Sequence, residues 1–228
     1  MKFKPLTTSK LFYNKWPYKI ECIQRGASRM YYDPYGTPYD WLRNRSYYAS
    51  FIPTVTDEEK EEISNFYSKV KSLFGSEDCQ IRVEGAHFNI FLKDKALLDN
   101  LSVALDPWIR AIHGPSTDEE LGFMLSNGHK KRVCTAYPKE KYQYRIYIRE
   151  RMKVDLRESF HTWTQKYGNK IDMPPTTKRW LSGDRAWAQN PYIYLEDGPM
   201  LTMTSLFLGD NVRIIEEFIL RSSINTGS

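Results

Sequence analysis

A strand, a helix, a hairpin and a second helix can be read in that order twice along the 228 residues. That repeated order predicts an α+β protein of two ferredoxin-like (βαββα) units in tandem, with antiparallel sheets and helices on one face. Two local likenesses support the repeat. "YKIEC" sets beside "YRIYI", and "IRVEG" beside "IYLED". Asp94 and Asp210 each stand where the helix after the second hairpin strand would open. The expected organisation is a first unit over residues 1–113 with an aromatic loop insertion at 25–55, a basic connection over 114–141, and a second unit over 142–228.

In the first unit, Tyr18, Ile20 and Cys22 alternate with Lys19 and Glu21, the pattern of a half-buried strand. Thr56 and Glu59 have capping-box spacing. Behind them Ile63, Phe66, Tyr67, Val70, Leu73 and Phe74 form one apolar stripe at helical spacing, and Gly75 can end the helix. "QIRVEGAHFNIFLKD" reads as a hairpin turning at Gly85. Asp94 then caps a short helix with Leu97, Leu98, Leu101 and Leu105, which Pro107 stops, and "WIRAI" adds a strand.

Ser116 and Glu119 repeat the capping-box spacing and predict a short helix through Met124. In the second unit "YQYRIYIRE" is a strand with Tyr144, Ile146 and Ile148 on one face. A helix capped by Asp155 carries Leu156, Phe160, Trp163 and Tyr167. The Pro/Gly-rich stretch from Gly168 to Pro191 reads as largely loop. "YIYLEDGPMLTMTSLF" reads as a second hairpin turning at Asp197-Gly198. Asp210 then caps a final helix with Val212, Ile215, Phe218 and Ile219.

Composition limits the function classes. No run of eighteen apolar residues exists, so no membrane span and no membrane partner are expected. The basic start "MKFKPLTTSK" lacks the apolar stretch of a secretory signal. Cys22, Cys79 and Cys134 are odd in number and far apart, which suggests reduced thiols in the cytoplasm, a host cytoplasm if the chain is viral or from a phage. His87, His113, His129 and His161 lack metal-site spacing, and no phosphate-loop, dinucleotide or nucleophile-elbow motif is present. No cofactor is therefore expected.

Charge is unevenly distributed. Residues 1–48 hold nine Lys/Arg against three acids, and residues 129–153 hold nine against two. Two such segments merging in the fold would attract phosphates. Opposite the apolar face of "YQYRIYIRE" stand Arg145, Tyr147 and Arg149, a tyrosine between two arginines. RNA-recognition modules use a sheet face of this kind to stack bases. Lys130, Lys131 and Arg132, with Lys139 and Lys141, extend the charge. "RMYYDPYGTPYDWLRNRSYY" packs six tyrosines, one tryptophan and three arginines into twenty residues. Its Arg29, Tyr31, Tyr32, Arg43 and Arg45 would flank the sheet. The same rings could instead fold onto the protein or meet a protein partner. Both alternatives stay open.

Two resemblances add to this reading. "GAHFNIF", Glu84 before it and Tyr137 after it follow an order similar to that of the HUH replication-initiator endonucleases. The resemblance implies Glu84 and His87 as metal ligands, Tyr137 as the nucleophile and Lys141 beside it, cutting single-stranded DNA. Asn89 stands where that family has its second histidine, and Tyr137 precedes Pro138 where the family has a helix. The doubled units also resemble CRISPR-RNA-processing endoribonucleases, but only Gly198 and Gly209 stand where their glycine-rich loop would lie. The expected function is binding of single-stranded RNA or DNA without catalysis. A nicking nuclease is the alternative, and an interaction or structural protein, such as a virion component or host-factor inhibitor, is the second.

Overall fold

A computed structural model describes residues 4–42, 55–128 and 130–224. The chain divides into two compact units, Met1–Leu121 and Gly122–Ser228. It is a mixed α+β protein with two five-stranded sheets and nine α-helices among the described residues. No helix among them is long and apolar enough to cross a membrane.

The first unit contains β1 (Lys4–Thr7), β2 (Tyr18–Ile23), α1 (Ala27–Tyr32), α2 (Pro38–Leu42), α3 (Asp57–Val70), β3 (Cys79–Glu84), β4 (His87–Leu92), α4 (Lys95–Ala104) and β5 (Ile109–Gly114). Its sheet runs β1-β5-β2-β4-β3. The β2–β4, β3–β4 and β2–β5 pairs are antiparallel, whereas β1 joins β5 in parallel. This strand makes the sheet mixed, which corrects the expectation of purely antiparallel sheets. Residues 25–55 are not a featureless loop either, since α1 and α2 lie within them. Pro34, Gly36 and Pro38 preclude one long helix but leave room for two short ones, and Pro38 fits the first helical turn.

The capping box of α3 forms as its spacing predicts. Thr56 Oγ1 accepts from Glu59 N at 3.2 Å, and the Glu59 carboxylate accepts from Thr56 N at 3.1 Å. Ile63, Phe66 and Val70 are the buried stripe, and Phe66 meets Phe88 of β4 edge-on at 5.2 Å. Gly85 sits at φ +61° in the two-residue turn between β3 and β4, where a side chain would be strained. Asp94 Oδ1 accepts from Leu97 N at 2.8 Å and starts α4, which buries Leu98 and Leu101.

α5 (Asp118–Asn127) and β6 (Lys131–Cys134) fill half of the expected connection over 114–141. The second unit continues with β7 (Tyr144–Ile148), α6 (Val154–Gln165), β8 (Ile171–Asp172), α7 (Pro175–Leu181), β9 (Tyr192–Leu195), α8 (Gly198–Leu208), β10 (Val212–Leu220) and α9 (Arg221–Ile224). Its sheet runs β6-β10-β7-β9-β8. Here β6 joins β10 in parallel, and every other pair is antiparallel. The core gathers Ile146, Ile148, Phe160, Trp180, Ile193 and Leu195.

Several expectations for this unit are overturned. Residues 198–208 are a helix, not a second hairpin strand. Asp197 Oδ1 accepts from Met200 N at 2.8 Å, and Pro199 lies in the first turn, so Asp-Gly-Pro is a helix start rather than a hairpin turn. Val212–Leu220 is a strand, not a final helix. Its spacing fits a helix, but Val212, Ile214, Ile215 and Ile219 are β-branched, and the segment fills the gap between β6 and β7. Lys153 rather than Asp155 occupies the cap position of α6, with Asp155 in its first turn. The stretch read as largely loop contains β8 and α7.

Candidate nucleic-acid interface

Strand alternation in β7 turns Ile146 and Ile148 into the core and puts Arg145 and Tyr147 on the other face. The neighbouring strands enrich that face. On β9, Tyr194 lies opposite Arg145 and Tyr192 opposite Tyr147. On β10, Glu216 lies opposite Arg145 and Ile214 opposite Tyr147. Arg132 of β6 pairs with Phe218 of β10. The Tyr147 and Tyr192 rings are 5.6 Å apart, and those of Tyr192 and Tyr194 are 5.4 Å apart and edge-on.

Arg145 is the hub. Its guanidinium carbon lies 5.0 Å from the Tyr147 ring, 5.3 Å from Tyr192, 5.9 Å from Tyr194 and 5.4 Å from Phe218. Its Nε donates to Glu216 Oε2 at 2.8 Å, and a terminal nitrogen donates to the same oxygen. Arg132 lies 3.7 Å from that oxygen too. Burial alone would lower the Arg145 pKa, but the Glu216 hydrogen bond and charge outweigh it and push it up. Two guanidiniums therefore share the Glu216 carboxylate.

This corrects the picture of Arg145 as a free phosphate ligand. Its side chain is 13% exposed and that of Glu216 only 6%, so it is a largely buried ion pair among Tyr147, Tyr192, Tyr194 and Phe218. Burial raises the pKa values of Tyr147 and Tyr192 and keeps both neutral near pH 7. Neutral rings of this sort stack and hydrogen-bond but do not supply a phenolate.

Other expected cations are also paired. Lys131 lies 3.7 Å from Glu217, Lys139 3.2 Å from Asp172, and Lys141 3.1 Å from Glu196 while also donating to Asn169 O. Arg149 donates through Nε to Asp210 O at 2.8 Å. That bond leaves its terminal nitrogens for a ligand. Lys130 is exposed, and so is Arg213, whose guanidinium lies 5.6 Å from the Tyr147 ring. No carboxylate lies within ion-pair distance of Lys130, Arg149 or Arg213 among the described residues. Reading the sequence missed Tyr192, Tyr194 and Arg213. The alternation in "YIYLED" already put the first two on one face; Arg213 was hidden by assigning its segment to a helix.

In the first unit, Arg29 donates to Asp40 O at 3.1 Å, and the Tyr31 ring lies between those of Tyr32 and Phe74 at 5.3 and 6.1 Å. Trp41 is buried and donates to Asp33 O at 2.7 Å, so part of the aromatic segment does fold onto its own unit. Tyr32 and Tyr35 stay exposed. Arg43, Arg45 and His129 lie outside the described residues. Part of the sheet of this unit is covered by its own chain around Phe91 and Gln80. Phe12 and Tyr13 pack on Phe91 at 5.4 and 4.9 Å, and Trp16 donates to Gln80 at 2.9 Å.

Glu84 and His87 face each other across the hairpin, both exposed, with Glu84 paired to Arg82. They belong to the first unit, whereas Tyr137 and Lys141 belong to the second. Tyr137 lies in the loop after β6. No group of three or more His, Cys, Asp or Glu among the described residues is placed to hold a metal ion. No protein-family model, curated protein or solved structure matches this chain.

Proposed function

We propose that the second unit binds single-stranded nucleic acid on the β7–β9 face, with Tyr147 and Tyr192 as the stacking surface and Lys130, Arg149 and Arg213 as phosphate contacts. The cluster of Tyr147 and Tyr192 around the buried Arg145 guanidinium carries this reading. The two rings are tilted 53° to one another, so each is a separate stacking surface, and each stacked base contributes about 1–3 kcal/mol. The proposal includes the fold. The orders β5-β2-β4-β3 and β10-β7-β9-β8, with helices after the first and third of these strands in chain order, support two ferredoxin-like units, each with one added parallel edge strand.

Single-stranded ligands suit the face better than duplex, because its contacts are rings rather than a helix fitted to a groove. The direct test is a Tyr147→Ala/Tyr192→Ala variant in fluorescence anisotropy with single-stranded RNA and DNA. The loss of one stacked base predicts binding about tenfold weaker or worse. Unchanged affinity in a folded variant removes the proposed surface. A protein partner is the second reading, favoured by Tyr32 and Tyr35, which are 77% and 97% exposed in the first unit.

A further inference from the structure

We infer that Trp187, with Arg185, forms a second base-stacking station for the same single-stranded nucleic acid, on the loop between α7 and β9. The inference rests on the reading of the second unit just given and extends it to residues outside the sheet. Trp187 is 61% exposed, whereas Trp180 is fully buried and Ala188, next along the chain, is 3% exposed. Trp187 is the one exposed tryptophan among the described residues, and its apolar ring and indole N–H are both open to a ligand.

The loop that carries it is firmly anchored. Arg157 of α6 is 5% exposed and donates to Trp180 O and Ala186 O, each at 3.3 Å. Arg185 N donates to Arg179 O at 3.0 Å, and Asn190 N to Glu150 Oε1 at 2.8 Å. Those bonds hold the backbone on either side of Trp187 and leave its ring outside. A preorganised ring costs little ordering entropy on binding.

Position and charge identify the occupant. Ile148 N donates to Pro191 O at 2.8 Å, which ties the loop to the strand residue next to Tyr147. Trp187 and Tyr192 are five positions apart, a reach of at most about 18 Å. One oligonucleotide can therefore span both. The Arg185 guanidinium lies 4.9 Å from the Trp187 ring. Arg149 and Arg213 stand at the same end of β7 and β10 as Pro191. Cations beside an exposed ring match a phosphate beside a base. On binding, the base takes the indole face and Arg185 turns to the phosphate.

The test is anisotropy and tryptophan emission with single-stranded oligonucleotides of about twelve residues, within the usual span of such sites. Trp187→Ala is expected to weaken binding about tenfold, equivalent to about 1.4 kcal/mol. Trp187→Phe should retain most of the affinity, and the thermal melt of both should match the wild type. Long-wavelength emission absent from Trp187→Phe should be quenched as ligand is added. If the wild type binds and Trp187→Ala binds equally well, the second station is wrong and the tyrosine face stands. If the wild type does not bind, both fall.

Discussion

Glu216→Gln removes the charge that the Arg145 and Arg132 guanidiniums share, while leaving an amide of the same shape. The arginine would then sit among Tyr147, Tyr192, Tyr194 and Phe218 without a counter-charge. Breaking a buried pair by removing one partner costs about 3–5 kcal/mol, and the retained hydrogen bond argues for the lower end. At roughly 4–8 °C per kcal/mol for a unit of this size, the second unit should melt at least about 10 °C lower. Calorimetry measures the shift. The paired change Arg145→Met/Glu216→Leu removes the most buried pair, leaves only the more exposed Arg132 without its counter-charge, and should be more stable than Glu216→Gln alone. A Glu216→Gln melt within about 2 °C of the wild type would refute the buried pair, as would a double variant less stable than the single one. The same reasoning excludes Arg145→Ala as a binding probe, because its loss of stability would be confused with loss of ligand contact.

Two further predictions follow from local structure. Asp197→Ala should cost about 1 kcal/mol by uncapping α8, and Asp197→Asn much less. The Met200 backbone hydrogen bond holds the Asp197 carboxyl below its ordinary range. Its stabilisation is therefore complete above that range and lost as the pH falls through the lowered value. Urea titrations of Asp197→Asn should show a smaller loss of stability in acid than the wild type, and an equal loss would count against the cap. Burial pushes the Cys22 thiol up to about 12. At pH 8 it should resist a thiol reagent until the protein is unfolded, while the less buried Cys134 reacts first. Labelling of Cys22 at the rate of a free thiol would place it outside the core.

Where one local signal dominated, the sequence was a good guide. The α3 capping box and apolar stripe appear as read, and so does the alternation in β7. Setting "YKIEC" beside "YRIYI" also matches the sheets, since Tyr18 lies opposite Leu92 of β4 as Tyr144 lies opposite Leu195 of β9. "IRVEG" and "IYLED" do not correspond in this way, because β3 is an edge strand and β9 an inner one. Two signals near the C-terminus were ambiguous. Asp-Gly suits a hairpin turn and a helix start equally, and Val212, Ile215, Phe218 and Ile219 have helical spacing although they form a strand. That second ambiguity concealed the Arg145–Glu216 pair. In a helix Glu216 has no reason to meet Arg145, whereas in β10 the register sets them side by side. The short edge strands β1 and β6, of four residues each, escaped notice because so few residues show no period.

A salt titration of wild-type binding to single-stranded RNA, single-stranded DNA and duplex tests nucleic-acid recognition most directly. With Lys130, Arg149 and Arg213 each meeting one phosphate, log K should fall against log salt with a slope of about −2, or nearer about −3 where Arg185 adds a fourth contact, since each contact on a single strand contributes about −0.7. Single strands should bind more tightly than duplex throughout. No binding near 50 mM salt, a slope near zero, or a preference for duplex would contradict it.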